Sequence, residues 1–183
     1  MASNQYLAIS PNSPVCSRSH VSNGELRFFL GWAQEVGGEH AAAQESWRQA
    51  RNELEPFLKE QPDNYQLIGD MALTSMALGD KAAALALAQK ATATNPLEKD
   101  ALDGSSALEF LARVLAQAGE PDRAITAIQK LLSIPSGGSF SVGIPLTPAL
   151  LRLDPMFDPL RDDPRFQKLA AAEAPKTADK ANK

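Results

Sequence analysis

The sequence predicts an all-α superhelical solenoid of about three helical hairpins, closed by a cap of short C-terminal helices. Three observations carry this. The first is a recurring phrase: Gly38-Glu39, Gly79-Asp80 and Gly119-Glu120 are each followed by an Ala five residues after the Gly (Ala43, Ala84, Ala124). The repeat returns after about 40 residues, and a period of that order marks stacked supersecondary units. The second is apolar spacing of 3–4 residues on both sides of each phrase. The third is a cluster of capping-residue–proline pairs near the C-terminus: Thr147-Pro148, Asp154-Pro155 and Asp163-Pro164.

Residues 1–23 are polar and contain Pro11, Pro14 and several serines, a composition for loop. Leu7-Ala-Ile-Ser-Pro11 also looks like the end of a helix, so the stump of an earlier repeat stands beside the loop reading. The first unit spans about 24–62. Its first helix starts near Glu25 and carries Leu26, Phe29, Leu30, Ala33 and Val36 as an inward stripe. Gly37-Gly38 ends it, because Gly accepts the left-handed cap conformation. The second helix presents Ala43, Trp47, Ala50, Leu54, Phe57 and Leu58. Pro56 lies inside that stripe and predicts a kink or break.

The second unit spans about 63–96. Its first helix, Tyr65 to Leu78, turns Leu67, Ile68, Met71, Ala72 and Ser75 inward. Its second, Lys81 to Thr94, turns Ala84, Leu87, Ala88 and Ala91 inward. The third unit spans about 97–135 and opens with an insert, Leu97 to Gly104. Its helices run from about Ser105 to Ala118 (Leu108, Leu111, Ala112, Leu115 inward) and from Pro121 to Ser133 (Ala124, Ile128, Leu131 inward). Residues 136–172 form a loop and then short helices near 148–153, 155–161 and 164–172. Their Leu150, Leu151, Leu153, Met156, Phe157, Leu160, Phe166 and Leu169 pack back on the last repeat, covering the apolar end that a solenoid exposes. The tail 173–183 lacks apolar periodicity and is expected to be disordered.

Composition narrows function. A net charge of −4 with interspersed signs has none of the basic footprint of a nucleic-acid binder. No apolar run approaches the roughly 20 residues of a membrane span, and the N-terminus lacks the pattern of a secretory signal. A single Cys16 excludes an internal disulfide framework. Together these point to a cytoplasmic chain. His20 and His40 have no ligand-spaced Cys or acid, so no metal or other cofactor is expected. Cys16 reads as a surface thiol. Asp158, Asp162 and Asp163 are read as capping and surface acids paired with Arg152, Arg161 and Arg165. No catalytic constellation is present, and the chain is expected not to be an enzyme.

The middle unit, about 34 residues from Pro62 to Pro96, resembles a tetratricopeptide repeat. Gly31, Ala72 and Ala112 match the small residue of the first helix, and Gly38, Gly79 and Gly119 the turn. Ala43, Ala84 and Ala124, then Ala50, Ala91 and Leu131, match the small residues of the second helix; Pro62, Pro96 and Pro135 match the closing proline. Unit one departs, with Arg27 at the first aromatic position and about two extra helical turns. The stretch Leu146–Gln167 is similar to the C-terminal end of repeat regions in large bacterial signalling proteins, which carry a kinase, winged-helix regulator or cyclase domain ahead of the repeats.

The resemblance implies a protein-interaction module with a concave groove lined by the first helix of each hairpin. In this register the groove residues are Phe28, Trp32, Glu35, Gln66, Leu73, Met76, Glu109, Arg113 and Gln117, with Glu25, Gly69 and Ser106 beside them. Such a groove suits a peptide or protein segment, and Trp32 and Arg113 are the residue types that dominate interfaces. Trp32 has a second reading, as a packing residue against the N-terminal segment or a neighbouring repeat. Some relatives grip a terminal carboxylate with Lys and Asn; here those positions hold Phe28, Trp32, Gly69, Leu73 and Glu109, which argues against that ligand. Self-association, or regulation of an attached effector domain, is the alternative role.

Overall fold

The computed structural model describes residues 23–100, 103–134, 138 and 144–172. Six helices form three antiparallel hairpins: α1 (Asn23–Val36) with α2 (His40–Glu60), α3 (Tyr65–Ala77) with α4 (Lys81–Thr94), and α5 (Asp103–Ala118) with α6 (Pro121–Leu132). Then come α7 (Pro148–Leu153), a 3-10 helix (Pro155–Leu160) and α8 (Pro164–Ala171). No strand occurs among the described residues.

The repeated phrase is one turn built three times. Gly38, Gly79 and Gly119 sit at φ of 82°, 86° and 81°. The following amide then reaches back to close the helix end: Glu39 N–H donates to Gln34 O (2.8 Å), Asp80 to Ser75 O (2.9 Å) and Glu120 to Leu115 O (3.0 Å). This pairing satisfies carbonyls that the helix leaves without partners, and only Gly holds the required positive φ without steric penalty. The acid that follows caps by its side chain only at Asp80, which accepts from Ala83 N–H at 3.1 Å. Asn64 caps α3, accepting from Gln66 and Leu67 N–H.

Each hairpin stacks on the one before: α3 packs on α2, and α5 packs on both α3 and α4. Small residues allow the close approach. Ala43, Ala50, Ala72, Ala84, Ala88, Ala91, Ala112 and Ala124 are all fully buried. Gly69 lies directly under the Phe110 ring, in space that a Cβ would occupy. Gly31 holds the same relation to the Trp47 indole, whose Nε1 donates to Phe28 O at 3.2 Å.

Three expectations need correction. First, α1 is turned the other way. Gly24, Glu25, Phe28 and Gly31 are its buried face, while Leu26, Leu30 and Val36 are 55%, 49% and 62% exposed. Apolar residues lie nearly all round this helix, and the small Gly24 and Gly31 decide which side approaches α2. Second, of the kink or break expected at Pro56 the break does not occur: α2 runs through it to Glu60. Pro56 is exposed. Third, Phe57 and Leu153 are exposed. The remaining inward assignments in α2 to α6 are buried or half-buried.

The short C-terminal helices start where the proline pairs predict. Thr147, Asp154 and Asp163 accept from the backbone N–H of Leu150, Met156 and Arg165. Leu151, Phe157, Leu160 and Phe166 share one core cluster with Leu115, Ile128 and Leu131, so the cap is continuous with the last hairpin. Arg161 pairs with Asp158 at 2.5 Å. Arg165 pairs with Asp163 at 2.7 Å and reaches Asp122 of α6, also at 2.7 Å. The Arg165 hydrogen bond holds the Asp163 carboxyl down at about 2. Arg152 instead donates to Ala170 O. The expectations for 1–22, for the loop before Ile144, for the tail after residue 172, and for Cys16 and His20 lie outside the described residues.

Candidate interaction face

The first helices α1, α3 and α5 lie side by side, and the groove positions fall along them. The face has two halves of different character. On α1, Phe28 is buried, and its ring stacks on Trp32 with centroids 6.4 Å apart and planes 19° apart. Trp32 also meets Trp47 at 6.1 Å. The Trp32 indole therefore packs on the aromatics of its own hairpin. It is half-buried, and its Nε1–H is enclosed without a hydrogen-bond partner. Glu35 pairs with His40 Nδ1 at 3.0 Å across the turn.

On α3, Leu73 is buried and Met76 half-buried within the cluster that holds Phe28, Trp47 and Phe110. Gln66 is half-buried, and its Nε2 is a second enclosed donor with no partner. Between α1 and α3 two carboxyls meet in the interior: Glu25 is 3% exposed and Asp70 4%. Burial pushes the Asp70 carboxyl well above the usual carboxylate range, and the charge of Glu25 adds to the rise.

On α5, Glu109 and Arg113 are 1% and 4% exposed. Arg113 Nε and Nη2 both donate to Glu109 Oε1, at 3.2 and 2.8 Å. Its Nη1 pairs with Asp154 Oδ2 and lies 3.4 Å from Met156 Sδ. The guanidinium carbon stands 5.1 Å from the Phe157 ring centroid. Burial alone would lower the Arg113 pKa; the charges of Glu109 and Asp154 outweigh it and the net direction is up. Gln117 Nε2 donates to Met156 O at 2.7 Å. This half of the face is covered by the chain's own 3-10 segment. Glu109, Arg113 and Gln117 hold the cap in place, and Phe28 and Leu73 are core. Trp32, Glu35, Gln66, Met76 and Gln117 are the predicted residues that keep partial exposure, and of these Gln117 is tied to the cap.

The Asp70–Glu25 pair gives a pH prediction. An acid whose folded pKa is raised destabilises the fold as pH climbs from its unfolded value, about 3.8, through the raised one; below that window it contributes no penalty. Asp70→Asn removes the ionisable group and keeps the shape. We expect it to stabilise the chain by about 1–3 kcal/mol at pH 7, with the difference shrinking toward pH 4. Guanidinium unfolding of both proteins at the two pH values measures it; a gain equal at both would exclude an electrostatic origin.

The sequence missed the role of Asp154. It reads locally as a helix cap, which it is, and its ion-pair partner is 41 residues away. The one available signal was Arg113 itself, a charge flanked on its helix by Ala112 and Val114 with apolar positions one turn away.

Elsewhere, two open hollows are lined by Gln44, Arg48, Arg51, Asn52 and Leu78, and by Asp63, Tyr65, Thr94, Asn95, Lys99, Asp100 and Asp103. Neither lining includes His or Cys. Among the described residues no group of three or more His, Cys, Asp or Glu is placed to hold a metal ion. No described helix is long and apolar enough to cross a membrane. The family model described as tetratricopeptide repeat matches residues 36–96 and 70–139. A comparison with curated proteins finds no match.

Proposed function

Because this chain belongs to the tetratricopeptide repeat family, whose members are generally non-catalytic protein-interaction modules, we propose that it binds a protein segment across the α1–α3 half of the first-helix face. One observation carries this choice of half. Trp32 Nε1 and Gln66 Nε2 are enclosed donors without acceptors, and an unsatisfied buried donor is unfavourable. Backbone carbonyls of an extended segment would satisfy both once the side chains turn outward, with Met76 offering an adaptable apolar contact. The α5 half, filled by the cap, is not part of the proposed site.

The test is capture of partners from host lysate by the whole chain, compared with Gln66→Leu/Met76→Glu. We expect the double variant to lose bound partner about tenfold or more, in line with one hydrogen bond and one apolar contact. The exposed control Arg48→Ala on α2 should bind as wild type. Equal capture by all three, with unchanged circular dichroism, would remove the site from this face.

We propose a finer reading from the sequence resemblance of Leu146–Gln167 alone. In it the module is the scaffolding part of a cytoplasmic signalling protein, and its occupancy is what an attached effector domain senses.

A further inference from the structure

The outer face of α1 is largely apolar and exposed. Asn23, Leu26, Leu30, Ala33 and Gly37 form one stripe at spacings of three and four, on the side away from Gly24, Phe28 and Gly31, which face α2. Aligning the turn glycines sets Leu30 level with Met71 and Leu111, and Ala33 level with Thr74 and Val114. Met71, Thr74 and Val114 are buried and Leu111 half-buried, in helices that stack on the preceding hairpin. In α1 the same positions are open: Leu30 is half exposed and Ala33 exposed. The surface that joins the hairpins to one another therefore recurs on α1, where the described residues leave it exposed.

We infer that this surface docks against α1 of a second copy across a two-fold axis. The stripe is self-complementary in shape. Its bulky residues, Leu26 and Leu30, lie toward the N-terminal end, and its small ones, Ala33 and Gly37, toward the C-terminal end. Antiparallel pairing about Leu30 sets Leu26 of one helix beside the small Ala33 of the other and Asn23 on Gly37, while the two Leu30 side chains meet at the axis; an isologous contact requires that kind of self-match. It is also uncharged. The neighbouring Arg27 is drawn back onto its own α2, where Nε meets Glu53 at 2.5 Å and Nη1 meets Gln49 at 2.6 Å. No like charges oppose each other at the axis. This inference is independent of the binding face above, which lies on another side of α1.

Sedimentation equilibrium of the whole chain, from low micromolar to several hundred micromolar, tests it. Wild type should follow a monomer–dimer equilibrium. Leu30→Glu places two charges at the axis and should weaken the dimer at least 100-fold. Leu30→Arg should do the same, and an equimolar mixture of the two variants should dimerise again. Ala33→Leu, which adds bulk at an exposed position, should also weaken the dimer and stands in if the charged variants lose helicity. A wild type that is monomeric throughout overturns the inference and leaves the face to another protein or to a preceding helix. A dimer indifferent to Leu30→Glu and Ala33→Leu overturns it equally.

Discussion

Arg113→Ala is expected to lower the unfolding free energy by about 3–5 kcal/mol, the scale for removing one partner of a buried ion pair. The loss is large because of what stays behind. Glu109, 1% exposed, stays in the interior with two donated hydrogen bonds gone. Asp154 loses its tie to α5, and Phe157 loses the cation over its ring. Guanidinium unfolding at pH 7 measures the effect. Arg113→Ala/Glu109→Ala should recover part of it, because the buried carboxyl is then gone as well; a double variant no better than the single would place the stability of this region in the packing of the arginine stem rather than in charge balance.

The second large effect belongs to Phe110→Ala, expected to cost about 3–5 kcal/mol. The ring is fully buried and rests on Gly69, so it joins the second hairpin to the third. Truncation leaves a void bordered by helices that cannot close it. Gly69→Ala attacks the same contact from the other side: the new methyl meets a ring that has no exposed side to move to, at about 1–3 kcal/mol. The pair should be strongly non-additive. With the ring gone the added methyl fills space instead of clashing, so Gly69→Ala should be neutral or stabilising in a Phe110→Ala background. Four denaturation curves decide this, and strict additivity would mean that the two residues do not share a contact.

Much of this fold was legible because its information is local. A positive-φ glycine, an acid after it and an alanine five residues on describe a complete helix–turn–helix joint, and all three joints form with the same backbone hydrogen bonds. The Thr-Pro and Asp-Pro starts of the cap are equally self-contained. The candidate site was less legible, for two physical reasons. In α1, Leu26, Phe28, Phe29, Leu30, Trp32 and Ala33 spread apolar surface nearly all round the helix, and the side that approaches α2 is chosen by the absence of side chains at Gly24 and Gly31. In α5, Glu109 and Arg113 look like a solvated i, i+4 pair from spacing alone. Their burial follows from a segment over forty residues later, and helical periodicity carries no information at that range.

The two oxygens of Asp154 have separate tasks: Oδ1 accepts from Met156 N–H at 2.9 Å and starts the 3-10 turn, while Oδ2 binds Arg113 on α5. A six-residue turn has negligible order in isolation. Here its nucleating group is also its mooring, so the turn and its docking form together or not at all. The 3-10 turn is therefore expected not to fray apart from α5. Its amides should exchange with solvent only when the last hairpin opens, which would make the turn and the third repeat one cooperative unit.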